Sequence, residues 1–182
     1  MRGRSEEREA FFKRIEAAYS HFYQKLKHTG SFPYRSTVSG MWAVSDAKEV
    51  YRAFCHFRLG RYSHMADLGS GDGVAALIGS LFTRTTGFET DESLYAKSLE
   101  IRDQLRLSHA RFLPQDYLLA DLSLYDLLYL YPDKPLQALE EKLRSVWCGH
   151  ILVNGPHFPP RHLKKISESP FSVGRFVLYQ SG

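Results

Sequence analysis

The sequence predicts an α/β fold: a doubly wound, mostly parallel seven-stranded sheet with a terminal antiparallel hairpin, preceded by an N-terminal amphipathic helix. From residue 64 onward, short apolar runs of strand length alternate with helical patterns, which is typical of a parallel sheet with crossover helices. Before that point, apolar residues recur at spacings of three and four, as on one face of a helix. We therefore divide the chain into an N-terminal helical extension or lid, residues 1–63, and a sheet domain, residues 64–182.

The N-terminal helix is predicted over about residues 6–27, with polar residues on the face opposite its apolar stripe. The stripe consists of Phe11, Phe12, Ile15, Tyr19, Phe22, Tyr23 and Leu26. We expect it to dock on the body of the domain; a membrane-surface helix and a partner-binding helix are the alternatives. Residues 29–40 contain Gly, Pro and Ser and are predicted to be a linker, and a second helix is expected from Ser45 or Asp46 to about Phe57.

The rest of the chain supplies the strands and crossover helices. The predicted strands are 65–68, 85–89, 111–113, 125–131, 150–154, 163–167 and 175–180. The predicted helices between them are 74–82, 92–105 and 136–146. The run 125–131 is apolar throughout except for one acid, as in a strand that is buried on both faces.

Composition limits the class of protein. The chain has 182 residues, of which 43% are hydrophobic and 24% charged, and this excludes disorder throughout. Its apolar runs are too short to span a membrane, and the charged N-terminus carries no secretory signal, so we expect a cytoplasmic protein. The two cysteines, Cys55 and Cys148, are isolated from each other and are expected to be free thiols in or near the core.

The net charge of +4 is unevenly distributed. Residues 1–65 contain 12 basic and 6 acidic residues, whereas residues 66–182 contain 12 basic and 14 acidic residues. The basic character therefore belongs to the N-terminal third, where it suits an RNA or an acidic protein as partner without requiring either.

A glycine turn follows the first strand of the sheet domain. Gly69, Gly71 and Gly73 let the backbone turn sharply and approach a ligand closely, because a Cβ atom there would collide with it. Glu89, 20 residues after Gly69, ends the next strand, where its carboxylate can accept hydrogen bonds from the two hydroxyls of a ribose. This pair predicts a cofactor that contains adenosine.

The details of the turn separate the two cofactor classes of this kind. Dinucleotide sites use a GxGxxG spacing, which places a helix N-terminus against a pyrophosphate, whereas the spacing here is GxGxG. Asp67 precedes the turn and Asp72 lies within it; carboxylates there repel a pyrophosphate but attract an ammonium and a sulfonium. The sequence therefore favours S-adenosylmethionine over a nicotinamide or flavin dinucleotide.

With these motifs the chain resembles the class I, seven-β-strand S-adenosylmethionine-dependent methyltransferases over residues 40–182. Residues 64–73 look like the first motif of that family, and residues 87–91 look like the second. The resemblance implies that Asp67 and the turn hold the methionine part of the cofactor, that Glu89 holds the ribose, and that Thr90 lies by the adenine. The turn residues concerned are Gly69, Ser70, Gly71 and Gly73.

The third motif resembles Gln115-Asp116-Tyr117 of this chain. The resemblance implies that Asp116 accepts a hydrogen bond from the adenine amino group and that Tyr117 stacks on the ring; Asp121 is the alternative acid. Within the superfamily, the small archaeal and mitochondrial protein lysine methyltransferases look closest in pattern. The chain departs from them at residues 40–46, which lack the proline that those enzymes carry there.

The acceptor site is expected at the end of the fourth strand, because ligands gather at the carboxyl ends of parallel strands. Tyr131 and Pro132 are predicted to line a channel for the acceptor, with Trp42 and the other aromatic residues of 32–42 closing over it. Asp133 can orient an amine or take its proton, or be an exposed loop acid. His157 is the best-placed histidine for a general base.

The predicted function is the transfer of a methyl group from S-adenosylmethionine to an acceptor, which is a protein (for example a lysine amine), an RNA or a small molecule. The spacing of the histidines disfavours a metal site. Two alternatives remain: a nucleotide-dependent oxidoreductase, which the turn spacing disfavours, and a non-catalytic scaffold that binds the cofactor, which the intact motif disfavours.

Overall fold

The computed structural model describes residues 2–37, 40–144, 147–171 and 175–181. It begins with a long helix, α1 (Arg2–His28), followed by a two-stranded antiparallel hairpin of β1 (Tyr34–Thr37) and β2 (Gly40–Ala43). Strand β1 and the first residue of β2 lie within residues 29–40, which were predicted to be a linker, so that prediction is wrong for these strand residues. Helix α2 (Ala47–His56) follows, and the Asp46 side chain caps its N-terminus by accepting from the Glu49 N–H.

A single sheet forms the centre of the fold. Its strands are β3 (His64–Leu68), β4 (Arg84–Phe88), β5 (Ala110–Leu113), β6 (Leu127–Leu130), β7 (His150–Asn154), β8 (Lys164–Glu168) and β9 (Phe176–Gln180). Their order is β5-β4-β3-β6-β7-β9-β8, with β9 antiparallel to both neighbours and β3 to β7 parallel. The predicted fold class, including the terminal hairpin, is therefore confirmed.

The strand order places a crevice next to β3. From β3 the chain proceeds to β4 and β5 on one side and then crosses to β6 on the other side. At such a switch point the two connections leave in opposite directions, and a ligand can bind outside the carboxyl ends of the strands. The site described below occupies this position.

The helices cover both faces of the sheet. Helices α1, α2, α3 (Val74–Gly79) and α4 (Glu92–Leu105) pack on one face, and α5 (Gln137–Leu143) with two short 3₁₀ turns packs on the other. The hydrophobic core on the first of these faces includes three buried residues of α1, Phe12, Ile15 and Tyr19. The apolar stripe thus docks on the domain, as expected for a face whose burial removes large aromatic and aliphatic side chains from water.

Some element ends differ from the prediction. Helix α3 ends at Gly79 and not near residue 82, and β6 starts at Leu127 because Asp126 uses its carboxylate to accept the Ser63 and His64 N–H groups at 2.7 and 2.9 Å. The predicted end of the helix at Val146 lies outside the described residues. No helix in the described part of the chain is long and apolar enough to cross a membrane.

Both cysteines are free, but they are exposed and not in the core, so the expected location is wrong. Cys55 lies on α2, whose buried positions are Val50, Ala53 and Phe54. Cys148 follows Trp147, whose buried indole N–H donates to the Tyr125 carbonyl at 2.8 Å and takes the interior position of this segment.

Candidate active site

The glycine turn has the backbone that its sequence requires. Gly69, Gly71 and Gly73 have φ values of +77°, +56° and +88°, a region that L-residues other than glycine rarely adopt. The N–H groups of Gly69 and Ser70 both donate to the Phe88 carbonyl, at 3.0 and 2.8 Å. The turn is therefore tied to the end of β4, which brings Glu89 beside it.

A cavity of about 360 Å³ lies beneath this turn and the ends of β3, β4 and β6. This volume is within the range of small-molecule sites. All but one of the residues predicted to bind the cofactor or flank the acceptor line it: Trp42, Asp67, Gly69, Ser70, Gly71, Glu89, Thr90, Asp116, Tyr117, Tyr131 and Pro132. The sequence motifs, which are far apart in the chain, thus meet at one place.

Gly73 is the exception. It does not line the cavity, and a Cβ atom on it would lie 2.6 Å from the Ser98 Cβ and 2.8 Å from the Phe112 Cζ. Gly73 therefore serves the close packing of the turn against α4 and β5, and the prediction that it touches the cofactor has no geometric support.

Three carboxyl groups converge at the turn. Asp67 and Asp72 are each 2% exposed and Glu89 is 8% exposed. Glu89 accepts the Gly71 N–H through Oε2 and the Asp91 N–H through Oε1, both at 2.8 Å. Each carboxylate oxygen has a second lone pair, so Glu89 can still accept from two further donors, such as ribose hydroxyls.

Burial governs the ionisation of the two aspartates. Burial raises the pKa of Asp67 to about 8, and the nearby Glu89 and Asp72 add to this rise. Burial also raises the pKa of Asp72 to about 6, although a hydrogen bond from Tyr23 lowers it. The Oδ2 atom of Asp67 and the Oγ atom of Ser70 are buried without a hydrogen-bond partner among the described residues. A buried polar atom without a partner is costly, so these two atoms indicate a ligand with polar groups.

The two candidate acids of the predicted third motif differ in their position relative to the cavity. Asp116 lines the cavity, whereas Asp121 does not. Both cap short 3₁₀ helices: Asp116 accepts the Leu118 N–H at 2.8 Å and Asp121 accepts the Ser123 N–H at 3.0 Å. Sequence reasoning could not separate the two acids because their local capping roles are the same.

The β1–β2 hairpin, which was not predicted from the sequence, lies against the cavity. Trp42 of β2 is 7% exposed, and its Cδ1 atom lies 2.7 Å from where a Cβ on Gly71 would be. The Arg35 guanidinium pairs with the Asp91 carboxylate at 2.8 Å, and the Met41 N–H donates to the Asp133 carboxylate at 2.7 Å. The hairpin is therefore held to both sides of the site. Residues of the hairpin, and none of the described residues of α1, line the cavity.

The acceptor side of the cavity follows β6. Tyr131 is 48% exposed at the mouth of the cavity. Its ring packs against Gly155, because a Cβ atom on Gly155 would lie 2.9 Å from the Tyr131 Cε2 atom. Asp133 also lines the cavity, and it is more than a loop acid because it binds the hairpin. His157 is exposed and does not line the cavity, so the position expected of a general base is not supported.

The described residues contain no group of His, Cys, Asp and Glu side chains that could hold a metal ion.

Comparison with known proteins gives a fold and no family. No protein-family model matches the sequence, and no curated protein matches it. Among solved structures, an RNA methyltransferase from Salinibacter ruber in complex with S-adenosyl-L-homocysteine is 19% identical, with a TM-score of 0.66 over 75% of this chain and 93% of that chain. The chain therefore shares its fold with this methyltransferase.

Two further structures agree on the fold. The N-methyltransferase NodS from Bradyrhizobium japonicum is 11% identical, with a TM-score of 0.57 over 74% of this chain and 95% of that chain. Magnesium protoporphyrin IX methyltransferase from Synechocystis, with bound S-adenosylmethionine, is 12% identical, with a TM-score of 0.56 over 74% of this chain and 77% of that chain. These proteins differ in acceptor, so their common fold does not select one.

Proposed function

We propose that this protein is an S-adenosylmethionine-dependent methyltransferase. The observation that carries the proposal is the carboxyl cluster of Asp67, Asp72 and Glu89 beside the glycine turn, with one oxygen of Asp67 buried and without a partner among the described residues. Such a cluster favours a ligand with positive charge and hydroxyl groups, and it disfavours a pyrophosphate. This charge pattern argues against the oxidoreductase alternative.

The residues around the cavity fit each part of that cofactor. Asp67, Ser70 and Asp72 would hold the methionine part, Glu89 the ribose, and Thr90, Asp116 and Tyr117 the adenine. When bound, S-adenosylmethionine supplies a methyl group on a sulfonium, which the lone pair of an acceptor displaces as the C–S electron pair returns to sulfur. The protein lowers the barrier of such a displacement by holding the two partners in line and excluding water.

The hairpin and β6 supply these two requirements in our proposal. Trp42 covers the turn and excludes water, while Tyr131 and Pro132 flank the acceptor. We also propose that the chain divides at residue 63 into an N-terminal extension and a sheet domain. Within that extension, the β1–β2 hairpin is the proposed lid. The expected cytoplasmic location stays a prediction.

For the acceptor, we infer an amine, of which the lysine side chain of a protein is one case. Support comes from the cavity lining, which includes Asp133 together with Tyr131 and Pro132 and in which Lys134 is the only basic residue among those described. A carboxylate attracts an amine and can take its proton, whereas an excess of acids repels the phosphates of an RNA. RNA and small-molecule acceptors are the competing outcomes.

The test begins with binding. We expect calorimetric titration to show that the wild type binds S-adenosylmethionine and does not bind a reduced nicotinamide dinucleotide. Glu89→Gln should weaken binding by about 10- to 100-fold, because it places an amide where the ribose and the Gly71 N–H both need an acceptor. Arg102→Gln is the matched control: Arg102 is a partly buried residue of α4 that pairs with the exposed Asp103 and does not line the cavity, so this variant should bind as the wild type. Failure of the wild type to bind would remove the proposal.

Turnover requires a second measurement. The protein is incubated with cofactor labelled on the methyl group and with separate protein, RNA and small-molecule fractions of a cell extract. Label in primary or secondary amines of the protein or small-molecule fraction supports the proposed acceptor class. Label in RNA alone overturns that class, and binding without label in any fraction supports the scaffold alternative.

Binding should also depend on pH. A cationic ligand favours ionised carboxylates, so it displaces the proton that Asp67, with a pKa of about 8, holds in the free protein at neutral pH. We expect proton release on binding at pH 7 and an affinity that rises by up to about tenfold per pH unit towards pH 8. Calorimetry in two buffers of different ionisation enthalpy measures the released protons. Equal heats in the two buffers would contradict this prediction.

A further inference from the structure

Two tyrosines of α1 contact the same residue of the glycine turn. The Tyr23 hydroxyl donates to the Asp72 Oδ2 atom at 2.7 Å, and the Tyr19 hydroxyl donates to the Asp72 backbone carbonyl, also at 2.7 Å. The two tyrosines are four residues apart, so they share one face of the helix. Tyr19 is 1% exposed, so its hydroxyl is buried at this contact.

These two bonds are shorter than the bond to the other oxygen of the Asp72 carboxylate. That oxygen, Oδ1, accepts from the Val74 N–H at 3.3 Å. Asp72 lines the cavity, whereas no described residue of α1 does. The tyrosines therefore act from outside the cavity on a carboxylate that faces it.

We propose that Tyr19 and Tyr23 are positioning residues of the cofactor site, which fix the backbone and the carboxylate of Asp72 so that this carboxylate meets the positive charge of the cofactor. The inference rests on the proposed function. It assigns a role in binding to α1, whose aromatic stripe is otherwise explained by docking alone.

The contact also connects α1 to the ionisation of the site. The groups that face Asp72 are Tyr19 and Tyr23 from α1, Asp67 from β3 and Glu89 from the end of β4. Burial and the Glu89 charge raise the pKa of Asp72, and the Tyr23 hydroxyl opposes them. Loss of that hydroxyl should therefore raise the pKa of Asp72 and leave it protonated over more of the neutral range.

Three conservative variants test the proposal. Tyr23→Phe removes the donor to the carboxylate, and Tyr19→Phe removes the donor to the carbonyl. Tyr51→Phe is the matched control: its ring stacks on Phe12 of α1 at 4.1 Å between centroids, and its hydroxyl interacts with Arg8 and not with the turn. Each protein is titrated with S-adenosylmethionine by calorimetry between about pH 5.5 and 8.5, and its thermal unfolding is recorded without ligand.

We expect Tyr23→Phe to bind about tenfold more weakly than the wild type at pH 7, with the acidic decline of its affinity moved to higher pH. Tyr19→Phe should bind more weakly without that displacement, because its hydroxyl contacts the carbonyl and not the carboxylate. Tyr51→Phe should match the wild type in both respects. A purely structural role would lower the unfolding temperature and leave the pH profile unchanged.

The outcomes separate this inference from the proposed function. If Tyr23→Phe has the affinity and pH profile of Tyr51→Phe while the wild type binds, the positioning role is overturned and the proposed function stands. If the wild type does not bind at all, both are overturned. If Tyr23→Phe fails to fold, the affinities of Tyr19→Phe and Asp72→Asn for the cofactor decide the question. A wild-type affinity for either variant contradicts the positioning role.

Discussion

Replacing Asp67 by asparagine is expected to prevent cofactor binding and, at the same time, to stabilise the ligand-free protein above neutral pH. The carboxyl group is 2% exposed, has one oxygen without a hydrogen-bond partner in the described part of the chain, and has a pKa of about 8 because of burial. Its ionised form is therefore unfavourable in the folded state and favourable only when a cation neutralises it. Asparagine has the shape of the protonated acid and cannot acquire the charge.

The sign of the pH dependence follows from linkage. An acid whose pKa is raised on folding binds more protons in the folded state than in the unfolded state, so it lowers stability as pH rises between the two pKa values. Relative to the wild type, Asp67→Asn should thus gain about 4 kcal/mol of stability between pH 5 and pH 8.5, or about 8 to 16 °C in unfolding temperature. Binding should weaken by about 100-fold or more, because a charged hydrogen-bond acceptor is lost.

The matched control is Asp126→Asn at the opposite end of β3. Burial there is outweighed by hydrogen bonds from the Ser63 and His64 N–H groups, which lower the pKa of Asp126. Its replacement should therefore destabilise the protein at neutral pH and leave binding unchanged. Thermal unfolding between pH 5 and 8.5 and calorimetry measure both effects, and a lower unfolding temperature for Asp67→Asn at pH 8.5 would contradict the assignment.

Gly73→Ala is expected to have the largest destabilising effect of the alanine substitutions in the turn. The new Cβ atom would lie 2.6 Å from the Ser98 Cβ, at a backbone φ of +88°. The left-handed conformation costs about 1 kcal/mol and overpacking about 1 to 3 kcal/mol, so we expect a loss of about 3 kcal/mol. The unfolding temperature should fall by about 5 to 10 °C.

Gly69→Ala serves as its comparison. Gly69 also has a positive φ, of +77°, but no atom lies within 4 Å of its added Cβ, which occupies the cavity side of the turn. We expect a loss of only about 1 kcal/mol in stability and a clear loss of cofactor affinity. Thermal unfolding and calorimetry on both variants distinguish the roles; equal destabilisation by the two would show that packing at Gly73 does not matter.

Much of the fold was predictable because the information is local. Asp91 precedes the predicted helix 92–105, and in the structure it caps α4 by accepting the Ser93 and Leu94 N–H groups, so this helix has the predicted bounds. The conformation of the glycine turn likewise depends on three residues within it, Gly69, Gly71 and Gly73. Periodicity, caps and turns act over a few residues and can therefore be inferred from the chain alone.

The hairpin shows what such patterns miss. Its strands are short and mostly exposed, and their position depends on contacts with distant residues: Arg35 with Asp91, Met41 with Asp133, and Trp42 with Gly71. A segment that is held in place by remote partners has no periodic signal of its own. For the same reason, the choice of Asp116 over Asp121 and the exposure of the cysteines depended on the folded arrangement.

The sequence by itself determined the alternation of strands and helices, the glycine turn and the acids that accompany it, because each of these is a property of neighbouring residues. Only the tertiary structure decided that Tyr19 and Tyr23 meet Asp72 and that Asp67 is buried with a raised pKa. The first depends on segments about 50 residues apart in the chain, and the second on the removal of water from the folded interior, and no local pattern encodes either.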